Sequence, residues 1–330
     1  KHNGLAQRAA ILQARAMGKE RLSPWDSRAP APCLQAGVSE QVMTFEEAVE
    51  LIEDAFSGID KGMGEFVQKM AKDGWIEGTI SSKKRPGAYC TSFSKSRTPR
   101  VYMTYSGSTS DVITLAHELG HALHFWVMRD LPECQRRYGM SLAETASTLG
   151  ETAVRNALLE KSIGNAEKLN IMWEELSAFT TFMLNIPTRF EFEKRLYELR
   201  AEKPLRPDEL RQIMSDSWLE WYGDSISEPD PMFWASKLHF YISGLSFYNF
   251  PYLFGYLFSL GVYRKRHELG DEFYSKYCDL LRDTGRMTAE NLATHHLGCD
   301  IRDQAFWDEV IDSISPRVDA YEKLLSLVKP

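Results

Sequence analysis

TSDVITLAHELGHALHFWVMR, residues 109–129, reads as a single amphipathic helix, and the rest of the chain is read outward from it. His117, Glu118 and His121 stand in it as H-E-x-x-H. Positions four apart share one face of an α-helix, so both imidazoles can converge on one zinc ion while Glu118 leans over its open side. Ser110 is the expected N-cap, and Asp111 suits the positive end of the helix dipole. Val112, Leu115, Ala116, Leu119, Ala122 and Leu123 surround the histidines with apolar surface, which points to a lined cleft. The competing reading is a buried helix with two hydrogen-bonded core histidines.

Two histidines need a further protein ligand to make a catalytic zinc site. His124 lies about 10.5 Å of helical rise from His117, too far to share an ion easily, and reads as a wall residue or one that supports the ligands from behind. An H-E-x-x-H-x-x-G-x-x-H array is excluded, because His124 and Val127 occupy its glycine and last histidine positions. Glu144, in LAETAST, is the better third ligand. Its neighbours Ala143, Ala146 and Ser147 would let a second helix approach closely, and a carboxylate among small apolar residues calls for a cationic partner. Glu151, seven residues on, either orients His117 or His121 through the distal ring nitrogen or is an ordinary exposed glutamate.

The 330 residues, 43% apolar and 12% aromatic, suffice for a large core, and a net charge of −7 with dispersed basic residues argues against a nucleic-acid partner. Lys83, Lys84 and Arg85 read as a solvated loop. Cys33, Cys90, Cys134, Cys278 and Cys299 form an odd, widely spaced set without C-x-x-C, which argues against a disulfide framework and a thiolate zinc site and fits a reducing cytoplasm. Every apolar run is interrupted before the ~20 residues of a membrane span, FYNFPYLFGYLFSLGV (247–262) coming nearest, so no membrane association is expected.

Along the chain, LAQRAAILQARAMGK is helical and SPWDSRAPAPCL an extended connection. Thr44 with Glu47 forms a capping box for a helix to Phe56, and a second helix runs from Met63 to Lys72. RPGAYCTSFS and RVYMTYSG carry the strand signals and lead into the metal-site helix; their edge could pair with an extended peptide or form a plain hairpin. Helical spacing then covers GMSLAETASTLGETAVRNALLEK, Ala166–Leu199, Pro207–Trp221, Pro231–Lys265, Asp271–Arg282 and Asp303–Leu327. The whole of 1–330 is read as one catalytic domain, with 1–35 the remnant of a longer N-terminal region.

HELGHALH followed by SLAETAST resembles the oligoendopeptidase F and thimet oligopeptidase family of zinc peptidases, and SPWDSRAP, KKRPGAY, SDVITLAHELGHALH and KLHFYISGLSFYNFPYLFGY match oligoendopeptidase F segments in order. The resemblance implies a mainly α, zincin-type metallopeptidase with a small β-sheet beside the active-site helix and a substrate channel. It implies one zinc per chain on His117, His121 and Glu144, with Glu118 as general base. His239, Tyr248 and Tyr252 are then the candidate donors to the oxyanion, against an aromatic-core reading of the same run. The implied activity is cleavage of internal bonds in short unstructured oligopeptides. The chain differs from the family pattern in lacking most of an N-terminal helical lobe, which leaves self-association or a separate lobe as expected partners, and in extra residues between His239 and the tyrosine-rich run. A related carboxypeptidase or dipeptidyl carboxypeptidase is the alternative within this chemistry. A non-catalytic zinc-stabilised peptide-binding module is the alternative outside it, and Glu118 argues against that, since a structural site needs no base.

Overall fold

The computed structural model describes residues 3–32, 42–84 and 87–328. It divides into two compact units, one of Lys1–Val38, Ile163–Phe254 and Ile311–Pro330, the other of Ser39–Ser162 and Gly255–Val310. The second carries the H-E-x-x-H sequence and is named the HExxH unit. The first carries His239, Tyr248 and Tyr252 and is named the aromatic unit.

Helix α1 (Asn3–Ala16) opens the aromatic unit, burying Ala6, Ala9 and Ala10, whose small side chains suit close helix packing. The SPWDSRAP stretch is not extended throughout: Pro24–Arg28 is a 3-10 turn, started by the Ser23–Asp26 box. The HExxH unit begins with α2 (Phe45–Ser57) packed on α3 (Lys61–Lys72). Thr44 Oγ1 accepts from the Glu47 N–H and Glu47 Oε2 accepts from the Thr44 N–H, the reciprocal cap that the spacing predicts. Helix α3 starts at Lys61 rather than Met63 because Asp60 caps it, accepting from the Gly62 N–H at 2.7 Å.

The sheet consists of β1 (Ile76–Glu77), β2 (Tyr89–Phe93) and β3 (Thr98–Tyr102) in the order β1-β3-β2, with β1 parallel and β2 antiparallel to β3. The two predicted strands are present, and β1 is added by a two-residue pairing too short to show alternation. Strand β2 forms an edge and is mostly exposed. The basic cluster is no solvated loop at Lys84: its ammonium donates to the carbonyls of Met103 (2.6 Å) and Thr79 (2.8 Å) and pairs with Glu77, tying the connection to the sheet. Arg85 lies outside the described residues.

Helix α4 (Thr109–Val127) carries the histidines and packs on both long strands and on α6 (Thr145–Lys161). The helix expected over 139–161 is divided, α5 (Met140–Ala143) preceding α6, because Glu144 adopts φ −87°, ψ 1° between them. In the aromatic unit α7 (Asn165–Thr180) packs on α1 and continues through a π-helical turn, Thr181–Asn185, into α8 (Ile186–Glu202). Pro187 has no N–H to offer a normal helical turn there. Helix α9 (Pro207–Tyr222) packs against α8.

The helix expected from Pro231 to Lys265 is replaced by α10 (Phe233–Ser236), a 3-10 turn at Leu238–Tyr241 and α11 (Phe250–Arg264). Between them Phe247 takes φ 55°, costly for a bulky residue, and Glu193 Oε1 holds its N–H at 2.7 Å. In the HExxH unit follow α12 (Arg266–Leu269), α13 (Phe273–Asp283) and α14 (Ala289–Leu297), the last not predicted. The helix expected over Asp303–Leu327 is two, α15 (Gln304–Asp312) and α16 (Ser315–Val328), with Pro316 in the first turn of the second. Among the described residues no helix is long and apolar enough to cross a membrane. Cys90, Cys134, Cys278 and Cys299 are free thiols, and Cys33 lies outside the described residues.

Candidate metal centre

The site is built on the start of α4. Its N-cap is Ser108, not Ser110: Ser108 Oγ accepts from the Asp111 N–H at 3.1 Å, and Asp111 Oδ2 accepts from the Ser108 N–H at 3.3 Å. Asp111 is therefore the third helical residue of a reciprocal cap, which places Ser110 inside the first turn. The helix ends at Val127, short of Arg129.

Two glycines bring α6 onto α4. A Cβ on Gly120 would lie 2.4 Å from the Ala146 carbonyl oxygen, and one on Gly150 would lie 2.7 Å from that of Ala116. Backbone therefore meets backbone, a contact that no side-chain-bearing residue permits at either point. Glycine inside a helix costs about 1 kcal/mol relative to alanine, and that cost was the available sequence signal for a close approach. Gly255 does the same for Glu144, whose Cβ would be 2.4 Å from a Cβ placed there.

This approach sets Glu144 Oε2 3.4 Å from His117 Nε2 and 3.4 Å from His121 Nε2. One ligand atom from each of the three lies within 4.8 Å of the others. Ser147 Oγ donates to Glu144 Oε2 at 2.7 Å and fixes its rotamer. The exposed-glutamate reading of Glu151 fails: it is buried, its Oε1 bonds His117 Nδ1 at 2.6 Å, and its Oε2 accepts from Arg155 Nη2 at 2.6 Å. With Nδ1 thus held, His117 presents Nε2 to Glu144. Arg155 escaped sequence reasoning, although its i+4 spacing from Glu151 marks the pair.

His124 is fully buried, bonds Thr284 Oγ1 at 2.9 Å and stacks on Tyr138 with ring centroids 4.2 Å apart, so it is a packed interior residue that ties α4 to the end of α13. Burial pushes its pKa down to about 4. Burial also pushes His121 down to about 3, reinforced by charge on His117. For His117 burial acts in the same direction, but the Glu151 bond and the surrounding carboxylates override it and raise the ring to about 9. Glu151 is held down at about 2 because Arg155 and His117 outweigh its burial. Glu118, 6% exposed, is raised to about 7 by burial, with Glu144 and Glu151 adding to the shift and His117 opposing it. Its Oε2 has no hydrogen-bond partner among the described residues.

Two imidazole nitrogens and a carboxylate oxygen around one point, held by second carboxylate and hydroxyl bonds, suit a zinc-type ion, with bonds of about 2.0–2.2 Å. The donor set and the orphaned Glu118 oxygen beside it therefore fit a metal.

His239, Tyr248 and Tyr252 belong to the aromatic unit and form a cluster there. The His239 ring lies 4.6 Å from that of Tyr248 and 6.2 Å from that of Tyr252, centroid to centroid. His239 Nδ1 bonds Asn249 Oδ1 at 2.8 Å, and Arg189 Nη1 donates to the same oxygen at 3.1 Å. An oxygen already receiving a guanidinium proton is an acceptor, so Nδ1 is the protonated nitrogen and Nε2 the outward one. Asn249, 1% exposed, was not singled out from sequence.

The fold and this donor set define the class. A match to Peptidase family M3, a metallopeptidase family, runs over residues 2–309, and the chain belongs to that family. It is 23% identical over 333 residues to oligopeptidase PepF of Bacillus subtilis (strain 168), covering 100% of this chain and 48% of that protein. It is 28% identical over 216 residues to the chromosomal oligoendopeptidase F of Lactococcus lactis subsp. cremoris, covering 64% of this chain and 35% of that one. PZ peptidase A, solved with an inhibitor, superposes with a TM-score of 0.80 at 18% identity, over 96% of this chain and 56% of that one, a likeness of fold. The chain spans half or less of the length of these curated relatives.

Proposed function

We propose that the chain is a zinc-dependent endopeptidase that hydrolyses internal bonds of short unstructured oligopeptides in the cytoplasm, with 1–330 working as one catalytic domain. The observation that carries this reading is the convergence of His117, His121 and Glu144 beside a buried glutamate with an unpartnered oxygen. Three protein ligands suit a catalytic site, whereas a structural one closes its fourth position with another.

Zinc held by this triad would supply Lewis acidity toward water and the peptide carbonyl. Glu118 accepts the proton of the attacking water as its oxygen bonds to the carbonyl carbon. The same carboxyl returns that proton to the nitrogen as the C–N bond breaks. Glu151 keeps His117 in one tautomer, and Glu144 is kept in place by Ser147. His239 through Nε2 and the hydroxyls of Tyr248 and Tyr252 are assigned to the oxyanion, where a pre-aimed donor contributes ~3 kcal/mol.

A substrate lying along the β2 edge would offer backbone N–H and C=O groups, and folded proteins seldom leave several such groups in a row unpaired. Unstructured peptides are therefore the favoured substrates. Internally quenched peptides with both termini blocked test the endopeptidase assignment. Turnover equal to that of free-ended peptides supports it; cleavage that requires a free C-terminus transfers the reading to a carboxypeptidase.

A further inference from the structure

A second set of metal-ligating side chains stands in the HExxH unit, sharing no residue with the first. Asp283, His295 and His296 each offer a ligand atom within 4.8 Å of the other two. Asp283 is the last residue of α13, and the histidines lie in the last turn of α14, before Gly298 in the left-handed conformation. Two helix C-termini therefore supply ligands to one place, and each brings partial negative charge to add to the carboxylate. Arg286 pairs with Asp283 Oδ1 and offsets part of it.

Asp283 is 8% exposed and uses its oxygens differently. Oδ1 is oriented by Arg286, while Oδ2 faces His296 Nε2 at 2.9 Å. Two bonds of about 2.1 Å meeting near a right angle span about 3 Å, so an ion can replace that hydrogen bond with little movement of either group. The His295 ring stands 4.6 Å from that of His296, and it is exposed, so it can turn to complete the set. A plain Asp–His pair would leave His295 unused, although its ligand atom also lies within 4.8 Å of the other two.

We propose that Asp283, His295 and His296 form a second, weaker site for a divalent transition ion of the zinc, cobalt or nickel type, completed by water. Two imidazoles with one carboxylate select against calcium and magnesium, which take oxygen ligands. The ion clamps α13 to α14. Thr284, the residue after Asp283, bonds His124 on α4, so the clamp adjoins the helix that carries His117 and His121.

The test is titration of the tag-free, metal-stripped chain with Zn2+ and separately with Co2+, following heat and cobalt absorption. The expected result is two equivalents per chain, the first tight and the second micromolar. His295→Asn, at an exposed position, keeps the first equivalent and weakens the second about tenfold or more, and His296→Asn does the same with an unchanged circular dichroism spectrum. Should His296→Asn fail to fold, His295→Asn alone decides. A single equivalent in the parent, a second that binds only at millimolar metal, or a second unchanged in His295→Asn overturns the proposal. Loss of the tight equivalent in the parent bears instead on the triad of His117, His121 and Glu144.

Discussion

Glu151 shows how far the site depends on one side chain that need not touch the metal. Its carboxylate bridges His117 Nδ1 and Arg155, so Glu151→Gln keeps the shape but turns an amide N–H toward one of two donors. Zinc affinity should fall roughly 10- to 100-fold, as measured by chelator competition, and unchanged affinity would remove its orienting role. His124 sets a pH dependence of a different kind. Its folded pKa, about 4, lies below the ordinary 6.5, so the unfolded state binds the extra proton. Stability therefore falls as pH drops from about 6.5 toward 4, and His124→Gln should flatten urea midpoints across that window. At this scale the convergence of His117 and His121 was legible because H-E-x-x-H encodes its own geometry through the helix repeat. Asn249 was not, since its partners His239 and Arg189 are 10 and 60 residues away, and Arg155 was not, because its i+4 partner Glu151 itself reads in two roles from sequence.

The elements are coupled through missing side chains. Gly120→Ala would drive a methyl to 2.4 Å from the Ala146 carbonyl, and backbone cannot swing aside as a flexible side chain would. Helices α4 and α6 must separate, which costs about 1–3 kcal/mol and draws Glu144 away from His117 and His121. A lower thermal midpoint together with weaker zinc binding is the expected pair of results; a more helical, more stable variant with full affinity would contradict the packing account. The long helices were readable where apolar spacing and caps agreed, as at Thr44–Glu47. Boundaries failed where a local device outcompeted the pattern: the Ser108–Asp111 box moved the start of α4, Glu144 divided its helix, and the left-handed Phe247 interrupted 231–265. Helix α14 was missed because AENLATHHL is short and its polar residues dilute the stripe.

Over the whole molecule, membership of Peptidase family M3 and the helical scaffold were reachable from sequence because the metal motifs are local and ordered. The division into two units was not, since each is assembled from segments far apart in the chain. We assign Glu118 as the base of a metal-dependent hydrolysis, and Glu118→Gln tests that assignment most directly. Metal content and peptide turnover are measured on the same preparation. The expected result is a folded protein with its metal retained and kcat lowered at least ~100-fold, because an amide of the same shape cannot take the proton from water. Turnover within a few-fold of the parent, with metal still bound, would contradict it.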